Sequence, residues 1–241
     1  MPQLPIVVGV DGCPRGWFAT RIEQGVHGCA SVHPSAAHLW RAHRDAGLIL
    51  IDIPIGLRDA GRDGRRCDRE ARKHLRGRAS SVFPVPCRAA VYAPAGRASA
   101  INAHRTGRKL SRQSLNILPK IREVDRLLRG QSEARAKLRE IHPELLFWAF
   151  AGERPMRHGK KEREGFDERR RLLERRWSPA AALIDHALVT TQRGDVGRDD
   201  ILDALAAAIA ALGPRDALRT LPEVPELDAF GLPMEMVYRQ A

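Results

Sequence analysis

Apolar positions along the chain fall into two patterns, unbroken short runs and helical stripes. Residues 5–11 form an unbroken apolar run that ends at Asp11, which predicts a strand buried on both faces. The segment 12–16 holds two glycines and a proline and predicts a turn. Strands are expected at 17–22 and 26–32, separated by the Glu23-Gln24-Gly25 turn, so the first three strands make an antiparallel meander. Ser35 is placed to cap a short helix reaching Arg44. Residues 48–53 then return as a second fully buried strand, ending at Asp52 and followed by Ile53-Pro54-Ile55-Gly56. A helical crossover before a buried strand predicts parallel pairing with the first strand.

The pattern changes over 58–137. Residues 62–78 are dense in arginine and partly helical in character, and 79–94 carry three prolines and read as an ordered irregular loop. A helix is expected over 111–129, capped by Ser111 and kinked at Pro119. Residues 138–142 form a short fifth strand, and Pro143 opens a helix to Phe150. The charged stretch 153–171 is expected to be solvated. Helices follow at 166–177, 179–191 and 199–212, and Met234 to Tyr238 is a last apolar strand. These elements predict an α/β fold: a mixed five-stranded sheet flanked by helices, with a largely helical insertion after the fourth strand and a C-terminal strand. The chain is read as one domain, 1–241, with a core of about 1–57 and 138–241 and an insertion of about 58–137.

Composition adds three points. Hydrophobic residues make up 43% of the 241, enough for a core, and no apolar run approaches the roughly 18 residues of a membrane span. No signal peptide is read at the N-terminus. The four cysteines (Cys13, Cys29, Cys67, Cys87) have no CxxC spacing, so free thiols in a cytoplasmic protein are expected. The net charge of +12 favours polyanionic partners, although an arginine-rich proteome produces the same balance. With aromatics at only 5%, backbone contact through arginine fits nucleic acid better than base stacking does.

The candidate chemistry is acidic. A carboxylate at the end of a central strand costs several kcal/mol, on the order of a domain's stability margin, unless a cation answers it. For Asp11 or Asp52 alone, a salt bridge to one of the many arginines would suffice. Two such acids on neighbouring strands repel each other unless a cation sits between them. Asp199, Asp200 and Asp203 open the last long helix. Asp199 and Asp200 suit the helix start and its dipole, whereas Asp203 borders the apolar stripe and can look inward. Asp11, Asp52, Asp200 and Asp203 are therefore the candidate metal ligands, and oxygen donors alone select Mg2+ or Mn2+. Glu140 on the fifth strand is a further candidate ligand or catalytic partner, and Glu144 is read as structural.

Six segments carry a resemblance: Val-Gly-Val-Asp-Gly-Cys-Pro-Arg-Gly-Trp at 8–17, Ile-Asp-Ile-Pro-Ile-Gly-Leu at 51–57, Arg66-Cys67-Asp68, Arg78-Ala79-Ser80-Ser81-Val82-Phe83, Glu140-Ile141-His142-Pro143-Glu144, and the run from Asp199 to Ala206. Together they resemble domain-of-unknown-function family 429, described as predicted RNase H-like nucleases. The resemblance covers most of the chain. It implies an RNase H-like core related to Holliday-junction resolvases, with essential acids on the first strand (Asp11), the fourth strand (Asp52) and the last helix (Asp200, Asp203). Resolvase-like members usually have glutamate at the second position, where this chain has the shorter Asp52.

Arg66, Arg78, Lys120 and Lys160 lie in or beside these segments and are candidates to hold phosphates or to neutralise the acids. Ser80 and Ser81 could donate to a phosphate or form a local turn. His142 could carry a proton or serve as a structural histidine. The reading expected first is a metal-dependent nuclease hydrolysing phosphodiester bonds in DNA or RNA, with a homodimer suiting a resolvase-type task. The alternatives are a nucleotide- or phosphometabolite-binding enzyme and a non-catalytic nucleic-acid adaptor on the same fold.

Overall fold

The computed structural model describes residues 6–240, so position 5 of the expected first strand lies outside the described residues. In chain order the elements are β1 (Val7–Cys13), β2 (Gly16–Glu23), β3 (His27–His33), α1 (Ala36–His43) and β4 (Leu48–Ile51). Then come α2 (Arg66–His74), α3 (Arg88–Val91), α4 (Ala95–Thr106), α5 (Arg112–Gly130) and α6 (Ser132–Lys137). The chain continues with β5 (Leu138–Glu140), α7 (Pro143–Phe150), α8 (Arg163–Arg176), α9 (Ala180–Thr190), α10 (Arg198–Ala211), β6 (Arg219–Leu227) and β7 (Pro233–Tyr238).

One mixed sheet of five strands runs β3-β2-β1-β4-β5. The β1–β2 and β2–β3 pairs are antiparallel, and β1–β4 and β4–β5 are parallel. Val10 sits opposite Ile51, and the Asp52 N–H extends the ladder by donating to Val10 O at 2.9 Å. Asp11 and Asp52 therefore emerge side by side at the carboxyl ends of two parallel strands.

Strand alternation divides the core in two. Val7, Leu48 and Leu50 face one apolar cluster with α7, α8, α9 and α10. Val8, Val10, Ile49 and Ile51 face the other, with α1 and α5. Fully burying each such side chain is worth roughly 1.5–3 kcal/mol. Gly9 lies on the α10 side. A Cβ there would stand 2.1 Å from both Ala204 O and Ala208 N, so only glycine lets the α10 backbone rest on β1. The small side chains of Ala204, Ala207 and Ala208 complete that close approach.

Both expected serine caps form: the Ser35 Oγ accepts the His38 N–H at 3.4 Å, and the Ser111 Oγ accepts the Ser114 N–H at 3.1 Å. α5 continues through Pro119. Several elements differ from expectation: α3 lies within the stretch expected as an irregular loop, and α6 was not anticipated. α4 was not anticipated, because its alanines, serine and glycine carry a weak apolar stripe. β6 was not anticipated either, because it contains Pro222 and Pro225; among the described residues it pairs only with β7, as a two-stranded sheet in which prolines are tolerated. The stretch 153–171 is only partly solvated. Met156 and Phe166 are buried, and Arg169 is 2% exposed against Glu144 at 2.8 Å. Among the described residues no helix is long and apolar enough to cross a membrane.

Candidate functional site

The odd-numbered positions Val7, Gly9 and Asp11 of β1 lie on the α10 side, as do the even-numbered Leu48 and Leu50 of β4 and, just past its end, Asp52. α10 approaches this face at Gly9 and presents Asp203 and Asp200 beyond the strand ends. Four carboxylates thus become electrostatic neighbours. Burial raises the Asp11 pKa well above the usual carboxylate range, and Asp52, Asp203 and Asp200 add to it. Burial likewise pushes Asp52 up to about 8, with Asp203 the next contributor. Asp203 is raised to about 6 by burial, against the pull of Lys160. Asp200 is raised by burial, partly offset by the Gly197 N–H that its Oδ2 accepts at 2.8 Å.

Hydrogen bonds do little to relieve this charge. Asp11 Oδ1 accepts the N–H of its own neighbour Gly12 at 2.6 Å. The principal counterion is Lys160, whose Nζ lies 3.0 Å from Asp199 Oδ2 and 3.2 Å from Asp203 Oδ2. These acids raise the lysine pKa against its burial. Lys120 approaches from α5 on the other face. Its Nζ sits 4.7 Å from the Trp17 ring centre and donates to Gly16 O, and its side chain fills the space where a Cβ on Gly12 would go. Burial lowers the Lys120 pKa.

The donor set is all oxygen, the chemistry that suits magnesium or manganese. As the side chains stand, no group of three or more His, Cys, Asp or Glu among the described residues is spaced to hold an ion. Asp203 is engaged with Lys160. An ion at this site would need Asp11, Asp52 and Asp203 to turn toward it and Lys160 to release Asp203.

The other candidates lie elsewhere. Glu140 shares the parity of Leu138, whose side chain belongs to the α1–α5 core, so it turns to the face opposite Asp52. Its charge helps raise the Asp52 pKa, but its oxygens are held by Arg65 at 2.6 and 2.7 Å and by the Ile55 N–H at 2.6 Å. Arg66 is exposed and pairs with Glu70 at 2.7 Å. Arg78 donates to Met156 O and lies 3.8 Å from Glu144. Ser80 is exposed on a single 3-10 turn, Ala79–Ser81, and the Ser81 carbonyl lies 3.3 Å from His142 Nε2. Burial lowers the His142 pKa, and its Nδ1 is buried without a partner. His142 is thus a ring set into the fold beside α7.

Sequence reasoning overlooked Arg65, the partner that occupies Glu140 and Asp68 together. The signal was present in the alternation of β5: Glu140 is in phase with Leu138, not with Ile141. Asp199 was read as a helix-start acid, yet it shares Lys160 with Asp203.

A family model described as "Protein of unknown function (DUF429)" matches residues 9–227, which takes in β1 from Gly9 onward with Asp11, β4 and the whole of α10. The chain belongs to the DUF429 family. No curated protein and no solved structure matches it. The match spans both the acidic group and the segment between β4 and β5, so in this DUF429 protein the helical segment is part of the family unit.

Proposed function

We propose that this DUF429 protein is a metal-dependent phosphodiesterase that hydrolyses DNA or RNA, on an RNase H-like core. The observation that supports this reading is the meeting of Asp11, Asp52, Asp200 and Asp203 at the carboxyl ends of two parallel strands, with Asp11, Asp52 and Asp203 carrying raised pKa values and too little positive charge to answer them. Residues with strongly displaced pKa values in such a place are candidates for function. Asp11, Asp52 and Asp203 would hold Mg2+ or Mn2+, with Asp200 completing the shell. When bound, such an ion supplies Lewis acidity toward the phosphate and a more acidic water.

The chain's own side chains do the rest. Asp11 and Asp52 leave adjacent paired strands, so their backbones are held in register and only the side chains need to turn toward an ion. Lys160, released from Asp203, is placed to hold a phosphate oxygen. Lys120, anchored on Trp17 and Gly16, keeps the 12–16 turn against α5. The surplus of basic side chains draws the nucleic acid backbone toward the molecule. The proposed setting is the cytoplasm, and a homodimer would suit a branched substrate.

The test is a calorimetric titration of manganese into the wild type and Asp11→Asn, with cleavage of labelled single-stranded and branched DNA and RNA measured in parallel. The wild type should bind manganese and cut at least one substrate, and Asp11→Asn should do neither. Manganese binding that survives both Asp11→Asn and Asp203→Asn would place the ion elsewhere and end the proposal.

A further inference from the structure

A second polar site lies in the helical segment between β4 and β5, away from the four aspartates. Its cavity of about 110 Å3 is enclosed by the loop after β4, α2 and the turn between α4 and α5. A single water needs roughly 10–15 Å3 of such space. The cavity therefore takes a group of several heavy atoms, not a polymer. Six cationic side chains reach its wall (Arg58, Arg62, Arg65, Arg72, Arg108 and Lys109), against the carboxylates of Asp63 and Asp68.

The wall divides into spent and unspent charge. Arg65 donates to Asp68, Glu140 and Ile55 O, which uses its own charge and that of Asp68. Arg58 donates to Gly64 O at 3.1 Å. Arg62, Arg108 and Lys109 have no side-chain ion pair among the described residues. Arg72 donates its Nε to Val82 O, and its Nη2 is buried with no acceptor. Gly107, at φ 72°, lets Arg62 lie across the turn that carries Arg108 and Lys109: a Cβ at Gly107 would meet Arg62 Nε at 3.3 Å. Two loops thus bring their free cations to one opening.

We infer that this cavity binds a phosphate monoester group. Arginine forks match phosphate oxygens in pairs, and a group with two negative charges answers several unpaired cations at once. A carboxylate carries only one charge and would leave most of the wall unanswered. The cavity's size admits the phosphate and leaves the rest of the ligand outside. Two sources share this chemistry: a small phosphorylated molecule and the phosphorylated end of a nucleic acid strand. The inference does not rest on the acidic site, and the same binding is expected in Asp11→Asn.

The experiment uses the full chain at fixed ionic strength. Inorganic phosphate, a 5′-phosphorylated oligothymidylate and its 5′-hydroxyl counterpart are titrated into the wild type and into a variant carrying Arg62→Ser and Arg108→Ser. Both positions are exposed, so the variant keeps its core, and its unliganded melting temperature checks that it folds. Inorganic phosphate should raise the wild-type melting temperature, and its affinity should fall at least tenfold in the variant. A tenfold preference for the 5′-phosphorylated strand, lost in the variant, assigns the pocket to strand ends. Phosphate binding without that preference assigns it to a small phosphate ester. No stabilisation by inorganic phosphate, or equal stabilisation of wild type and variant, overturns the inference, because the effect would then be general screening of a basic chain.

Discussion

Two buried charge clusters lie close to β4, and they are built on opposite principles. Around Arg65, which is 1% exposed, both carboxylates and a backbone carbonyl are taken up by one guanidinium. Around Asp11, four carboxylates share a lysine that also serves Asp199. Burial raises the pKa of Glu140 to about 7 even with Arg65 beside it, and raises Asp52 to about 8. The first cluster ties the loop after β4 to α2 and β5. The second holds like charges together with little to offset their repulsion. The contrast separates a cluster whose charges answer one another from one whose charges do not, and only the second is a candidate for function.

The largest way to break the comparison is Asp11→Asn, which should reduce metal-dependent cleavage to background, measured on whichever substrate the wild type cuts, while the protein stays folded. Arg65→Met should do the reverse. It strands two buried carboxylates and should cost about 3–5 kcal/mol of stability, read by urea denaturation. Gly9→Ala drives a methyl into the α10 backbone and should cost about 1–3 kcal/mol. By lifting α10 from β1 it should also weaken manganese binding, read by calorimetry.

Asp52→Asn sharpens the contrast through its sign. The folded pKa of Asp52 lies above its usual value of 3.8, at about 8. A raised pKa contributes stability below about pH 4 that is lost as pH rises toward 8. Without metal, Asp52→Asn should therefore melt higher than wild type at pH 8, and this advantage should shrink as pH falls to 4. Thermal melts at both pH values check it, and an advantage that is larger at pH 4 would show that Asp52 is not held protonated by its surroundings. The smallest effect is expected outside both clusters. Ser111→Ala removes the α5 cap and should cost about 1 kcal/mol, equally at both pH values.

The sheet was largely legible because its strands are short apolar runs punctuated by glycine and proline. The caps at Ser35 and Ser111 were legible for the same local reason. The four aspartates were legible because period-two alternation places Asp11 and Asp52 on one face once β1 and β4 pair in parallel. Other features were not readable locally. β6 contains two prolines that argue against a strand unless its only partner is known to be β7. Arg169 sits in a charged run and becomes buried only because α8 brings it to Glu144. Glu140 looked like a fifth acid because its chemistry was right, although its parity was not.

The sequence alone determined the strand order of the meander, the helix starts at Ser35 and Ser111 and the four acids that come together, because each depends on spacing within a few residues or on the alternation of one strand. Tertiary structure decided which cation meets which carboxylate. Arg65, Arg169 and Lys160 are three among 41 lysines and arginines, and nothing in their neighbours along the chain distinguishes them. Ion pairing acts over a few ångströms in space, and the chain brings those partners within reach only after the helices have closed over the sheet.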